Sequence, residues 1–201
     1  MGKVIGIDLS NNNGNVNPHT CAADFVFHKA TEGTTFVDQD YALRGTAFLA
    51  RGIPFGAYHY ARVHEDPRAQ AGFFLHVAKL HKGMLVPFVD VEGAGNEGAT
   101  GQQWREWLGE FLHEMENVHN RRCGVYVSPG FADTYEFSKA PWLRAFYLFV
   151  AHWGVQKPRI PAPWVRAAIW QFTSTGHDPG VVGSVDQDEW FSTFDSLTVE
   201  R

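Results

Sequence analysis

Apolar positions along the chain fall into two rhythms. Short β-branched and aromatic runs recur at residues 4–8, 24–30, 54–61, 85–92, 124–128, 146–153, 167–172 and 184–186, and such runs predict eight strands. Several are continuously apolar instead of alternating in and out, as expected for strands covered on both faces. The sheet they predict is buried and mostly parallel.

Three intervening segments carry helix punctuation. The first starts near Asp38 and stops at Gly52; the second has Asp66 as N-cap, Pro67 at the first helical position and Gly83 as its stop. In the third, Thr100 and Gln103 have capping-box spacing, and Trp104, Trp107, Leu108, Phe111, Leu112 and Met115 follow at helical period. After the fifth, sixth and seventh strands the connections are shorter and rich in Pro and Gly, notably Lys157-Pro158-Arg159-Ile160-Pro161-Ala162-Pro163. Full helices fit poorly there. The predicted fold is α/β: an irregular TIM-like β/α barrel with eight strands and helices missing in the second half. With no repeat, low-complexity tract or long linker, residues 1–201 are expected to form a single domain.

Composition narrows the function. A chain of 201 residues with 44% hydrophobic and 19% charged residues folds around a sizeable core without needing disulfides or a metal. The net charge of −5, with no long basic block, makes nucleic acid and anionic membranes unexpected partners. The longest apolar stretch, near residues 145–151, is far short of the roughly 20 residues that span a bilayer, so no membrane insertion is expected. Met1-Gly2-Lys3 leads straight into Val4-Ile5-Gly6-Ile7, which is not the pattern of a signal peptide. Cys21 and Cys123 are expected to be free, buried thiols.

In barrels of this kind reactive side chains gather at the C-terminal ends of the strands. Asp8 ends the first predicted strand, Glu32 follows the second, His59 and Tyr60 end the third, Asp90 and Glu92 the fourth and Asp186 the eighth. A lone Asp at such a place is ordinarily a turn or capping residue, and a lone His a hydrogen-bonded core or rim residue. The constellation differs, because no matching number of Lys or Arg in the same runs neutralises it. Asp90 and Glu92, two apart on one strand, point to one face with Cα atoms roughly 6.6 Å apart. Coupling and burial raise one pKa of such a pair, leaving a protonated acid beside an ionised carboxylate. That combination suits glycosidic bond cleavage. Tyr58, Tyr60, Tyr126 and Trp153 each read singly as barrel packing, yet together they supply the aromatic faces of a glycan cleft.

Two other motifs carry less. Gly93-Ala94-Gly95-Asn96-Glu97-Gly98 matches the dinucleotide-binding pattern, but three nearby acids would repel a pyrophosphate and the helix starts beyond the motif. A divalent metal among Asp8, His59, Asp90 and Glu92 is a further alternative. The expectation is no metal and no cofactor.

Gly6-Ile7-Asp8-Leu9-Ser10, Lys29-Ala30-Thr31-Glu32-Gly33, Gly56-Ala57-Tyr58-His59-Tyr60, Phe88-Val89-Asp90-Val91-Glu92 and Trp170-Gln171-Phe172, followed by Val185-Asp186, resemble the glycoside hydrolase family 25 lysozymes. These are N-acetylmuramidases of phages, bacteria and fungi, and the resemblance runs in order from residue 4 to about residue 191. It implies a β/α barrel lacking helices in its second half and metal-independent hydrolysis of the β-1,4 bond between N-acetylmuramic acid and N-acetylglucosamine. By the same resemblance Glu92 is the general acid, Asp90 orients the substrate's 2-acetamido group, and Asp8 and Asp186 are flanking carboxylates. Tyr58 and Tyr126 align with aromatics near the reacting sugar and Gln171 with a Trp-Gln-Tyr element; Tyr60, Trp153, Glu32 and His59 complete the expected binding set. The chain departs from the family pattern at Asp188, where Asn is common, and at Phe149, where Trp is common.

Two carboxyls on one strand do not readily straddle a sugar ring, so substrate assistance with retained configuration is the simpler expectation. The rivals are a chitinase-like hydrolase, whose longer acidic run is absent (Val86 stands four before Asp90), and a glycan-binding barrel without activity. The expected partner is bacterial peptidoglycan and the expected state a monomer. A phage endolysin held in the host cytoplasm until its release to the wall is the expected setting, with extracellular action the alternative.

Overall fold

The computed structural model describes residues 2–118, 120 and 122–191; the last ten residues of the expected single domain lie outside the described residues. In chain order the elements are β1 (Ile5–Leu9), β2 (Val26–Glu32), β3 (Phe36–Val37), α1 (Tyr41–Ala50), β4 (Phe55–Tyr60), α2 (Pro67–Ala78), β5 (Phe88–Asp90), α3 (Gly101–His113), β6 (Gly124–Val127), α4 (Pro129–Thr134), β7 (Tyr147–Ala151), β8 (Ile169–Gly176) and β9 (Val185–Trp190).

Eight of the strands close into a barrel in the order β1, β2, β4, β5, β6, β7, β8, β9 and back to β1. β3 stands outside it, paired antiparallel with the end of β2; this pairing carries β2 on to Glu32, beyond the predicted stop at Ala30. Neighbours from β1 to β8 run parallel, whereas β9 runs antiparallel to both β8 and β1. The last strand therefore corrects the sequence prediction in direction and extent. Asp186 lies near its start, not at its end, and reaches the C-terminal mouth because the strand is reversed.

Alternation along the strands sorts side chains into two cores. Inside the barrel, Phe27, Phe88 and Phe149 pack with ring centroids 5.4–5.8 Å apart, with Phe25 and Trp190 below at 4.9 Å. Gly56 and Gly124 make room for this plug: a Cβ there would lie 2.3 Å from the Phe27 ring and 2.2 Å from the Phe88 ring. Between barrel and helices, α3 buries Trp104, Trp107, Leu108, Phe111 and Leu112 as its period predicts.

The helix signals hold with adjustments. Asp66 accepts from the Arg68 and Ala69 amides at 2.8 and 2.9 Å, and Thr100 with Gln103 forms the complete capping box. α2 ends at Lys79, whose left-handed backbone (φ 47°) closes it before Gly83 is reached. α1 begins later than predicted because the Asp38 carboxylate accepts from the Asn11 and Asp40 amides, tethering the loop after β1. Ser128-Pro129-Gly130, which follows β6, is the N-cap and first turn of α4, with Ser128 Oγ accepting from Phe131 N at 3.2 Å. Between β7 and β8 no helix is present among the described residues. Cys21 and Cys123 are free and buried. No helix among the described residues is long and apolar enough to cross a membrane.

Candidate active site

The inward positions at the C-terminal ends of the strands converge on one cavity of about 220 Å³. β1 contributes Asp8, β2 Lys29, β4 Tyr58 and Tyr60, β5 Asp90, β6 Tyr126, β7 Phe149, β8 Gln171 and β9 Asp186; Ser10, Asn12 and Glu92 join from the loops just beyond. Its floor is the top of the phenylalanine plug, Phe27 and Phe88. The four carboxylates arrive in two pairs: Asp8 is the direct register partner of Asp186, while Asp90 ends β5 and Glu92 follows two residues later.

Gln171 ties Asp8 to the aromatic wall. Its Nε2 donates to Asp8 Oδ2 at 2.6 Å, and its Oε1 accepts from the Tyr126 hydroxyl at 2.9 Å and from Trp153 Nε1 at 2.8 Å. Both ends of the amide are committed, so its orientation is fixed by the network.

Burial pushes every one of these carboxyls upward, and repulsion by neighbouring carboxylates adds to it for Asp8, Asp90 and Asp186. Asp90 is raised well above the usual carboxylate range by burial, then by Glu92 and Asp8, and its Oδ1 has no hydrogen-bond partner. Asp8 is raised by burial and by Asp186, against the pull of the Gln171 amide. Burial raises Glu92, while the neighbouring Tyr126 hydroxyl and Lys29 draw it back down. Asp186 is raised to about 6 by burial and then by Glu92. Such a cluster holds protons to higher pH than isolated carboxyls do, which gives it an acid and an ionised partner together. Burial also raises the phenols of Tyr58 and Tyr126, so both remain neutral donors.

A second groove, about 530 Å³, opens on the β6 and β7 side and is lined by Gly93, Pro129, Phe131, His152, Trp153 and Arg159. It shares Glu92 and Tyr126 with the carboxylate cavity. Glu92 thus stands where an acidic pocket meets a more apolar groove.

Three expected site residues lie elsewhere. His59 points outward between Tyr58 and Tyr60: it is fully buried, bonded to Thr31 Oγ1 at 2.8 Å and Gln70 Oε1 at 2.9 Å, and stacked on Phe111 at 5.3 Å. Strand alternation makes it a core residue, with burial lowering its pKa to about 4. This also separates it from the carboxylates Asp8, Asp90 and Glu92; among the described residues no three His, Cys, Asp or Glu side chains are placed to hold a metal ion. Glu32 does not line the cavity but ion-pairs with Lys29 and Arg62 behind Tyr60, which lowers its pKa. Trp153, 52% exposed, lines the adjoining groove. Tyr60 does line the cavity, its hydroxyl donating to Ala94 O at 2.9 Å.

Sequence reasoning missed Lys29, Ser10 and Asn12. Lys29 was legible in principle, two residues beyond Phe27 and therefore on the same inward face. Asp188, one inward step below Asp186, is fully buried. Neither of its carboxyl oxygens has a hydrogen-bond partner, and burial with Asp8 and Asp186 nearby raises its pKa strongly.

This architecture has relatives. The family model of glycosyl hydrolases family 25 matches residues 7–181. The chain belongs to glycoside hydrolase family 25. Lysozyme M1 of Streptomyces globisporus is 30% identical over 198 residues, covering 93% of this chain and 67% of that protein. The crystal structure of the bacterial lysozyme from Streptomyces coelicolor superposes with a TM-score of 0.89 at 29% identity, covering 98% of this chain and 96% of that one. The Clostridium perfringens spore cortex lytic enzyme SleM gives a TM-score of 0.84 at 27% identity, covering 98% of this chain and 69% of that one. Membership of family 25 makes the chain a glycoside hydrolase of the lysozyme type. Asp186 lies beyond the stretch that the family model matches and enters the site through its pairing with Asp8.

Proposed function

We propose that this family 25 lysozyme cleaves the β-1,4 bond between N-acetylmuramic acid and N-acetylglucosamine in peptidoglycan, with Glu92 as general acid and the substrate's 2-acetamido group as internal nucleophile. The observation that carries this reading is the place of Glu92 on the border of the two cavities. A group that protonates a bridging oxygen must stand between the sugar it retains and the sugar it releases.

In the first step the Glu92 proton passes to the bridging oxygen and the C1–O bond breaks. The acetamido oxygen then bonds to C1, and an oxygen of the Asp90 carboxyl accepts from the acetamido N–H of the resulting oxazolinium ring. Water next attacks C1, gives its proton to the Glu92 carboxylate and opens the ring, so the first product keeps the β configuration. Asp90 and Glu92 leave from one strand end, which favours this division of labour over attack by Asp90 itself. Asp8 and Asp186 set the charge of the pocket, Tyr58 donates a hydrogen bond to the sugar, Tyr126 lines the pocket with its hydroxyl held on Gln171, and Trp153 offers an aromatic face to the departing side.

The catalytic unit in this reading is the single barrel, acting as a monomer. The setting is bacterial wall lysis, as a phage endolysin or as a lysozyme acting outside the cell; the same site serves both. The test is digestion of purified peptidoglycan followed by borohydride reduction and mass analysis, with proton NMR of the first product from a soluble muroglycan. Reduced muramic acid ends and an initial β anomer are expected. Reduced glucosamine ends would overturn the substrate assignment, and an initial α anomer or an ester trapped on Asp90 the mechanism.

A further inference from the structure

We propose that Lys29 is a positioning residue for the acid pair: its ammonium, held at the cavity wall by Glu32, sets the proton affinity of Asp90 and Glu92, and Glu32 with Arg62 meters how much of that charge reaches them. This rests on the assignment of Glu92 and Asp90 above.

Among the described residues lining the carboxylate cavity, Lys29 is the one cation facing four carboxylates. Its side chain is only 11% exposed, so solvent screens its charge poorly. The local fold is built to hold it there. Residues 29 and 32 of a regular strand would point to opposite faces, but the pairing of β2 with β4 shifts between Lys29 and Thr31, leaving Ala30 as an extra residue. This bulge turns Lys29, opposite Tyr58, and Glu32, opposite Tyr60, to the same side. There the Lys29 ammonium pairs with one Glu32 oxygen and the Arg62 guanidinium with the other. Tyr60 is faced by both cations, with Lys29 Nζ 4.7 Å and Arg62 Cζ 5.1 Å from its ring centroid; Phe36 of β3 adds a second ring 5.3 Å from Lys29 Nζ. Arg62 is anchored in turn by donating to Ala94 O at 2.8 Å.

The charged groups around Lys29 are Glu32 on its own strand, Arg62 after β4, Asp90 and Glu92 from β5 and the loop beyond, and Asp8 and Asp186 from β1 and β9. Lys29 lowers the proton affinity of both Asp90 and Glu92, whereas Glu32 raises that of Asp90. Removing Lys29 and removing Glu32 therefore act in opposite directions on Asp90.

The test is the pH dependence of kcat/KM on purified peptidoglycan for the wild type, Lys29→Met, Lys29→Arg and Glu32→Gln, with thermal unfolding of each. Lys29→Met is expected to move both limbs of the bell to higher pH by roughly one pH unit, the scale of one charge acting across a poorly solvated pocket. Glu32→Gln is expected to move the bell to lower pH, and Lys29→Arg to restore the wild-type position. Loss of rate or stability with the bell unmoved would overturn the proposal and make the cluster purely structural. If Lys29→Met does not fold, Glu32→Gln decides alone: a shift to lower pH supports the role, and no shift or a shift to higher pH overturns it. Full activity of Glu92→Gln would instead remove the underlying assignment of the acid, a separate outcome.

Discussion

Asp8 and Asp186 are direct partners across the antiparallel pairing of β1 with β9, so two carboxyls confront each other in the mouth of the barrel. Like charges directly opposite on a ladder repel, and here burial adds to the repulsion. The reversed last strand is what creates the confrontation, and Gln171, donating to Asp8, offsets part of it.

Asp186→Asn is therefore expected to stabilise the fold in a pH-dependent way. The folded-state value of Asp186, about 6, lies above the ordinary 3.8. Its native carboxyl thus favours folding while protonated, and that advantage is lost as pH rises through about 6. Relative to wild type, the variant should gain nothing near pH 4 and roughly 1–3 kcal/mol above pH 7. Urea unfolding across that range checks this; a gain that shrinks with rising pH would contradict it.

Asp188 gives a related expectation. It is buried without a hydrogen-bond partner, and burial with Asp8 and Asp186 nearby raises its pKa, so its native carboxyl favours folding while protonated and that advantage is lost as pH rises. Asp188→Asn, isosteric and uncharged, should match the wild type in stability at the acidic end of the range and become the more stable protein as the pH is raised. Equal destabilisation at every pH, read from the same unfolding curves, would show that the carboxyl has a partner it needs.

His59 should behave as a packing residue. His59→Phe keeps the stack on Phe111 but strands Thr31 and Gln70, costing about 2–4 kcal/mol, with kcat/KM of the folded protein changed less than twofold. Because burial lowers the histidine to about 4, its contribution is present above 6.5 and lost as pH falls toward 4. The cost of the substitution should shrink over that window. A large fall in kcat/KM with stability intact would return His59 to the site.

The barrel was legible because each parallel strand is a distinct apolar run and α2 and α3 carry their N-caps, Asp66 and Thr100, in sequence. The reversal of β9 was not, since Val185-Asp186 looks the same read in either direction and only pairing with β1 and β8 decides it. Strand parity explains the rest of the site. Tyr58 and Tyr60 reach the cavity while His59 between them cannot, and a residue list taken without alternation places all three together. The Lys29–Glu32 pair was hidden because two residues three apart on a regular strand do not meet; the bulge at Ala30 brings them together.

Glu92 carries the chemistry in this reading, so Glu92→Gln compared with wild type on purified peptidoglycan, in the presence of a chelator, is the decisive comparison. The wild type should release fragments with reducing N-acetylmuramic acid ends. The variant should keep its fold and its binding to the insoluble glycan while turnover falls by roughly 10²–10⁴-fold. Release of the same fragments by Glu92→Gln at near wild-type rate would mean that another group supplies the proton.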